Sequence, residues 1–127
     1  MKRYILPLLL FVSCALYAQD AIHISASELY DAYSANEVAA DRKYKGKSVV
    51  VRGRIQRIGK EILGHPYVVI GGSGMLDGVQ CVFAEAYARS GPDEYRLSLL
   101  SKGQSVTISG TCSGSIAGLV LVTDCAL

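Results

Sequence analysis

Three stretches between residues 47 and 83 alternate apolar and polar side chains in the manner of β-strands. In the first stretch Val49, Val51 and Ile55 share one side, whereas Arg52 and Arg54 share the other. A period of two residues places one set of side chains on a buried face and the other in solvent. The apolar phase shifts near residue 58, which predicts a one-residue β-bulge in a long first strand. Residues 67–70 and 79–83 predict the second and third strands.

Helix signals precede these three strands. Ser25 and Glu28 have the spacing of a capping box, in which a serine oxygen accepts a backbone amide at the start of a helix. The same spacing recurs at Ser34 and Glu37. We therefore expect two short helices, or one kinked helix, over residues 26–44.

The second half of the chain predicts two further strands. Residues 84–100 favour helix but are broken near Pro92, and strands are expected at 106–112 and 119–127 with a turn at 113–118. One helix, three strands, a helical connection and two strands is the element order of the OB-fold. We expect a mainly β protein: a five-stranded Greek-key OB-fold barrel with an N-terminal helix and a helical connection between strands three and four.

Residues 1–18 have the layout of a secretory signal peptide, with a basic start, an apolar run and small residues at the end. Cleavage after Ala18 would release a soluble protein. Alternatively, the residues before Cys14 resemble the box that precedes a lipidated cysteine. Both routes predict an exported OB-fold domain over residues 25–127, periplasmic or secreted, which contacts the membrane only if Cys14 is lipidated.

The charge balance argues against a globally cationic protein. The chain carries 13 basic and 11 acidic residues, and without Lys2 and Arg3 the two signs are equal in number. Attraction to DNA or RNA must therefore come from a local patch. Residues 42–60 supply one, because they contain only basic charged side chains: Arg42, Lys43, Lys45, Lys47, Arg52, Arg54, Arg57 and Lys60.

The candidate ligand-binding residues are Arg52, Arg54 and Tyr67. The two arginines share the outward face of the first strand, and a positive face favours polyanions. Tyr67 on the second strand would add an aromatic platform for bases or sugars. These residues predict binding of single-stranded nucleic acid or an acidic saccharide. The opposing interpretation is that outward basic residues are merely solvated and protect a strand edge from aggregation.

A set of short motifs lies at 35–41, 43–47, 51–53, 78–83, 102–104, 110–114 and 124–127. Together they resemble the tRNA_anti-like family of exported OB-fold proteins, a group to which nucleic-acid binding is ascribed. The resemblance runs from about residue 27 to residue 127 and is most specific around the three cysteines after residue 80. It implies the OB-fold and an exported location, but it implies no reaction. Export also argues against cytoplasmic tRNA as the natural ligand.

If Cys14 is removed or lipidated, three cysteines remain, which allows one intramolecular disulfide at most. The turn after the fourth strand would place Cys112 opposite Leu121, about 13 Å along the strand from Cys125 and too far for a bridge. Strands three and five are neighbours in the OB-fold. Cys81 and Cys125 are therefore the predicted disulfide in an oxidising compartment.

Catalytic motifs are absent from the sequence, which contains no Gly-x-Ser-x-Gly, no His-Glu-x-x-His and no phosphate-binding loop. It also lacks Cys-x-x-Cys, and only His23 and His65 could complete a metal site. We expect a non-enzymatic binding domain without a cofactor or metal. Two alternatives stay open: an envelope protein-interaction or scaffold module, and a thiol- or metal-responsive protein with a free Cys81 or Cys112.

Overall fold

The computed structural model describes residues 20–71, 77–83 and 92–127. The predicted signal peptide with Cys14, most of the predicted loop at 71–78 and the first half of the predicted helical connection lie outside the described residues. The described elements, in chain order, are β1 (Ile22–Ser25), α1 (Ala26–Ala35), α2 (Glu37–Tyr44), β2 (Ser48–Lys60), β3 (Pro66–Ile70), β4 (Gly78–Val82), α3 (Pro92–Ser98), β5 (Ser105–Ile116) and β6 (Leu119–Ala126).

Five of the strands close into a barrel. Their order is β2, β3, β4, β6, β5, and β5 pairs back to β2. The β4–β6 pair is parallel and the other four pairs in the ring are antiparallel. The helix α3 lies between β4 and β5 in the chain, which are the third and fourth strands of the barrel. The predicted five-stranded OB-fold barrel is therefore confirmed.

A β-bulge lets the long strand β2 serve both halves of the barrel. Residues 48–54 pair with β5, whereas residues 55–60 pair with β3. The register shifts between Ile55 and Arg57, which confirms the bulge predicted from the phase change near residue 58. In a regular strand Arg57, two residues after the buried Ile55, would face the core as well. The residue inserted at the bulge reverses this, and Arg57 lies on the exposed side of β2.

The short strand β1 was not predicted from the sequence. It pairs in parallel with β2, with Ser25 beside Arg52. Four residues are too few to show a convincing alternation, and the partner strand is distant in the chain. Since β1 runs directly into α1, its pairing with β2 determines where the first turn of α1 meets the barrel.

Two side-chain caps begin the first two helices. The Ser25 Oγ accepts a hydrogen bond from the Glu28 amide at 3.1 Å, as the capping box predicted. The cap of α2 is Asn36, whose Oδ1 accepts from the Ala39 amide at 3.0 Å. The prediction from the spacing of Ser34 and Glu37 is therefore wrong, because the Asn36 side chain occupies the capping position instead.

The core fills the barrel and extends to one side of α1 and α2. Phe83, Leu29 and Ile70 are fully buried within it. Tyr33 and Tyr44 pack into the same core with 5% of their surface exposed, in agreement with a packing role for the helix tyrosines. Within the described residues, no helix is long and apolar enough to cross a membrane.

The hairpin between β5 and β6 differs from the prediction. The strand β5 continues to Ile116, so the expected turn over residues 113–118 is wrong, and Ala117 and Gly118 alone reverse the chain. Both of these residues have positive φ, 52° and 82°. Register shifts in this hairpin place Cys112 opposite Val122 and not opposite Leu121.

Candidate ligand-binding surface

Arg52 and Arg54 line a pocket of about 650 Å³ on the outside of the barrel. The pairing of β2 with β5 places Thr107 beside Arg52 and Ser105 beside Arg54, so two hydroxyl groups accompany the two guanidinium groups. Ser27 from α1 also lines the pocket. Among the described residues that form its wall, none is acidic. The pocket therefore has the composition of an anion-binding site.

Both guanidinium groups are available for a ligand. Arg52 and Arg54 are exposed, and neither forms an ion pair with a carboxylate of the described residues. An arginine presents its N–H groups in a planar fork that matches two oxygens of a phosphate or carboxylate. Two such forks on one strand, separated by the single residue Gly53, can hold successive anionic groups of an extended ligand.

Two glycines bring α1 close to this pocket. A Cβ atom on Gly53 would lie 3.1 Å from the Ala26 Cβ, and one on Gly71 would lie 2.6 Å from the same atom. Gly71 also has a φ of +69°, a conformation that glycine adopts without steric cost. The first turn of α1 therefore packs directly on backbone. Its positive end adds a favourable field for anions beside Arg52.

Tyr67 lies apart from the pocket, so the structure does not bring the three predicted ligand residues together. The ring of Tyr67 lies across Gly59, where an added Cβ would come within 2.9 Å of the tyrosine oxygen. The Arg57 guanidinium lies 5.6 Å from the centroid of the same ring. Arg52 and Arg54 form one group and Tyr67 and Arg57 form a second. Arg57 is thus the ligand candidate that the sequence analysis did not single out.

A single outer surface connects the two groups. Arg57 pairs with Val69, Gly59 pairs with Tyr67, and Tyr67 pairs in turn with Val82 on β4. At 3.3 Å per residue, the path along β2 from Arg52 to Arg57 is about 16 Å. We call the exposed side chains of Arg52, Arg54 and Arg57, together with the half-buried Tyr67, the arginine strip. A compact ion can occupy only one end of this strip, whereas an extended chain can contact its whole length.

The hairpin after β2 presents two apolar side chains beyond the Tyr67 end of the strip. Ile62 is 99% exposed and Leu63 is 69% exposed. The Glu61 carboxylate holds this turn, because its Oε1 accepts from the amides of Leu63 at 2.9 Å and His65 at 3.0 Å. The His65 Nδ1 lies 3.1 Å from the same oxygen. The two apolar side chains are therefore held in solvent by an ordered turn.

The remaining basic residues of the 42–60 run do not belong to the strip. Arg42 and Lys43 lie in the last turn of α2, where positive charge offsets the negative end of the helix. The Lys43 ammonium lies 5.2 Å from the centroid of the Tyr44 ring. The basic residues that form one stretch in the sequence are thus divided between the end of α2 and the outer face of β2.

A second polar group is buried between α1 and the barrel. The Tyr33 hydroxyl lies 3.5 Å from the Cys112 Sγ. Burial, together with the neighbouring Cys112 thiol and Asp41 carboxylate, raises the pKa of Tyr33 far above its ordinary value. Tyr33 therefore remains protonated and neutral in the folded protein. This group is remote from solvent and serves packing, not ligand binding.

We expect stability to fall at alkaline pH partly because of Tyr33. Above the ordinary tyrosine pKa of 10.0 the unfolded chain loses the proton that the folded chain keeps, so unfolding is favoured by up to about 1.4 kcal/mol per pH unit. Tyr33→Phe should lower the free energy of unfolding by about 1 kcal/mol at pH 7, through the lost hydrogen bond with Cys112, and by less at pH 11. Urea unfolding at both pH values measures this, with exposed Tyr95→Phe as control. If Tyr33→Phe lowered the free energy of unfolding equally at both pH values, this prediction would be wrong.

The described residues contain no group of three histidine, cysteine, aspartate or glutamate side chains arranged to hold a metal ion. Cys81, Cys112 and Cys125 are free and buried thiols in this structure.

The closed barrel, the helical connection and the exposed strand face define an OB-fold domain with a candidate ligand surface. The chain belongs to the tRNA_anti-like family, whose model matches residues 3–126. No protein among the curated sequences matches it.

Solved structures agree with this fold. A lipoprotein from Klebsiella pneumoniae subsp. pneumoniae, to which nucleic-acid binding is ascribed, superposes with a TM-score of 0.62 at 23% identity, covering 84% of this chain and 90% of its own. A Leishmania major protein to which aspartyl-tRNA synthetase activity is ascribed has a TM-score of 0.50 at 17% identity. It matches 88% of this chain over 21% of its own length. At these identities the likeness concerns the fold alone.

Proposed function

We propose that this protein is a non-enzymatic, exported domain that binds single-stranded nucleic acid along the arginine strip. The observation that carries the proposal is the pocket in which Arg52 and Arg54 lie without a carboxylate partner among the residues that the structure describes. Phosphates of the ligand occupy this end, and a base stacks at the Tyr67 end, which is the usual division of contacts in single-strand binding. Arg57 connects the two ends.

Membership of the tRNA_anti-like family and the nucleic-acid binding ascribed to the Klebsiella lipoprotein support this ligand class. The layout of residues 1–18 and the description of the same neighbour as a lipoprotein support export. An acidic saccharide offers the same spacing of negative charge without bases. It is therefore the polyanion against which nucleic acid must be compared.

The experiment is a salt series of fluorescence anisotropy with a labelled single-stranded oligonucleotide and a labelled acidic glycan of similar charge. Three arginine–phosphate contacts predict a slope of about −2 in log K against log salt, which is a loss of about 20-fold between 50 and 200 mM. Tighter binding of the oligonucleotide supports base stacking, and tighter binding of the glycan identifies a saccharide ligand. No binding of either at 50 mM would contradict the proposal and favour the protein-interaction alternative.

A further inference from the structure

The two cysteines predicted to pair lie on the parallel strands β4 and β6, which are adjacent in the barrel. The register places Cys81 opposite Val122. Cys125 lies three residues beyond Val122, yet its Sγ donates a hydrogen bond to the Val122 carbonyl oxygen at 3.3 Å. The chain bends back at Asp124, where φ is +52°. Because Val122 is the register partner of Cys81, this hydrogen bond places the Cys125 sulfur at the level of Cys81 on the neighbouring strand.

Burial and neighbours distinguish this pair from the third cysteine. Cys81 is fully buried and Cys125 is 3% exposed, so both side chains lie in the core. Cys112 lies on β5, and its sulfur contacts the Tyr33 hydroxyl of α1 at 3.5 Å. Cys112 therefore contacts α1, whereas Cys81 and Cys125 lie on the adjacent strands β4 and β6 at the level of Val122.

We propose that Cys81 and Cys125 are an oxidation site that forms a disulfide between β4 and β6, while Cys112 remains a thiol. The oxidant is a small external disulfide such as oxidised glutathione. One cysteine thiolate displaces one glutathione thiolate to give a mixed disulfide. The second cysteine then attacks the protein sulfur of that mixed disulfide, so one S–S bond is formed, two protein thiols are oxidised and two glutathione thiols are produced.

The site is accessible to an oxidant only before β6 docks on β4. The neighbouring Cys125 thiol, together with burial, raises the pKa of the Cys81 thiol, which suppresses the reactive thiolate in the folded protein. The bond therefore forms during folding and is shielded afterwards from reductants. Its formation in the cell depends on the export put forward under the proposed function, but its formation in a purified sample does not depend on any ligand.

The test is refolding of the reduced, denatured chain in a glutathione redox buffer, followed by alkylation in denaturant with and without prior reduction. The oxidised chain should lose two hydrogens in mass. Cys112 should be alkylated directly, whereas Cys81 and Cys125 should be alkylated only after reduction. Direct alkylation of Cys81 or Cys125 in the oxidised sample would overturn the proposal, and this readout needs no variant that might fail to fold.

Single substitutions give the matched comparison. Cys112→Ala should still lose two hydrogens, whereas Cys81→Ala and Cys125→Ala should not. Reduction should lower the thermal midpoint of the wild type and of Cys112→Ala by about 10 °C or more, since a closed loop of this length restricts the unfolded chain. The midpoint of Cys125→Ala should not respond to reductant. An equal midpoint of the wild type with and without reductant would contradict a stabilising bond. None of these measurements involves a ligand, so they test the disulfide even if the protein does not bind an oligonucleotide.

Discussion

Reversing the charge of Arg52 and Arg54 together, as Arg52→Glu and Arg54→Glu, is expected to lower the affinity for a single-stranded oligonucleotide about 100-fold at 50 mM salt. Each guanidinium contributes a hydrogen-bonded contact to a charged group, worth about 1.5 kcal/mol, and a factor of ten in affinity is about 1.4 kcal/mol. Both side chains are exposed and without ion-pair partners among the described residues, so the substitutions leave no buried charge behind. Anisotropy titration of the wild type and the variant measures the loss.

The matched control changes the same amount of charge elsewhere. The control variant carries Arg42→Glu and Lys43→Glu in the last turn of α2. Just beyond this turn, the Gly46 amide donates a hydrogen bond to the Cys112 carbonyl oxygen on β5. Cys112 is about 16 Å along β5 from Thr107, beyond the screening length of about 14 Å in the 50 mM salt of the titration. We expect less than a threefold change in affinity. An equal loss in both variants would show that net charge, and not the pocket, governs binding.

The local alternation of apolar and polar residues was sufficient to predict β2, the strand that carries Arg52 and Arg54. The alternation around Val49, Val51 and Ile55 predicted which side of β2 faces the core, and the structure places Arg52 and Arg54 on the other side. The bulge was readable for the same reason, since a side-chain period of two must be broken by one inserted residue. These features depend only on residues that are adjacent in sequence.

The composition of the pocket depends on pairings between distant residues. Thr107 and Ser105 reach the arginines only through the β2–β5 register, and Ser27 reaches them only through β1. Nothing in the local pattern specifies those registers. The same limitation explains the grouping of Tyr67 with Arg52 and Arg54, since sequence indicated that the residues share a barrel face but not how far apart they lie along it.

The cysteines illustrate both a feature that the sequence predicts, the order of the strands, and one that it does not, the register between them. Adjacency of the third and fifth barrel strands follows from the fold alone, and β4 and β6 do pair. The position of Cys112 opposite Val122 depends on register shifts within the β5–β6 hairpin. Such shifts are set by backbone geometry at Gly114, with φ of +96°, and near Thr111, where the sequence carries no periodic signal. Fold topology was therefore more predictable than residue-level register.

Gly71→Ala is expected to lower the free energy of unfolding by about 3 kcal/mol. An alanine at this φ of +69° costs about 1 to 2 kcal/mol in backbone strain. Its Cβ would also lie 2.6 Å from the Ala26 Cβ, so the start of α1 must move away from the barrel, at a further cost of about 1 to 3 kcal/mol. Urea unfolding followed by circular dichroism measures the total. Because the first turn of α1 lines the pocket, oligonucleotide affinity should fall as well.

Gly103→Ala separates the two contributions to this loss. Gly103 has a φ of +89°, but a Cβ atom built on it has no neighbour within 4 Å. The substitution therefore carries the backbone cost of about 1 to 2 kcal/mol without the contact with α1. It should leave oligonucleotide affinity unchanged, since Gly103 does not line the pocket. If Gly71→Ala destabilised the domain no more than Gly103→Ala, the close packing of Ala26 on Gly71 would not be a determinant of stability. The position of α1 beside Arg52 would then have to be fixed by other contacts.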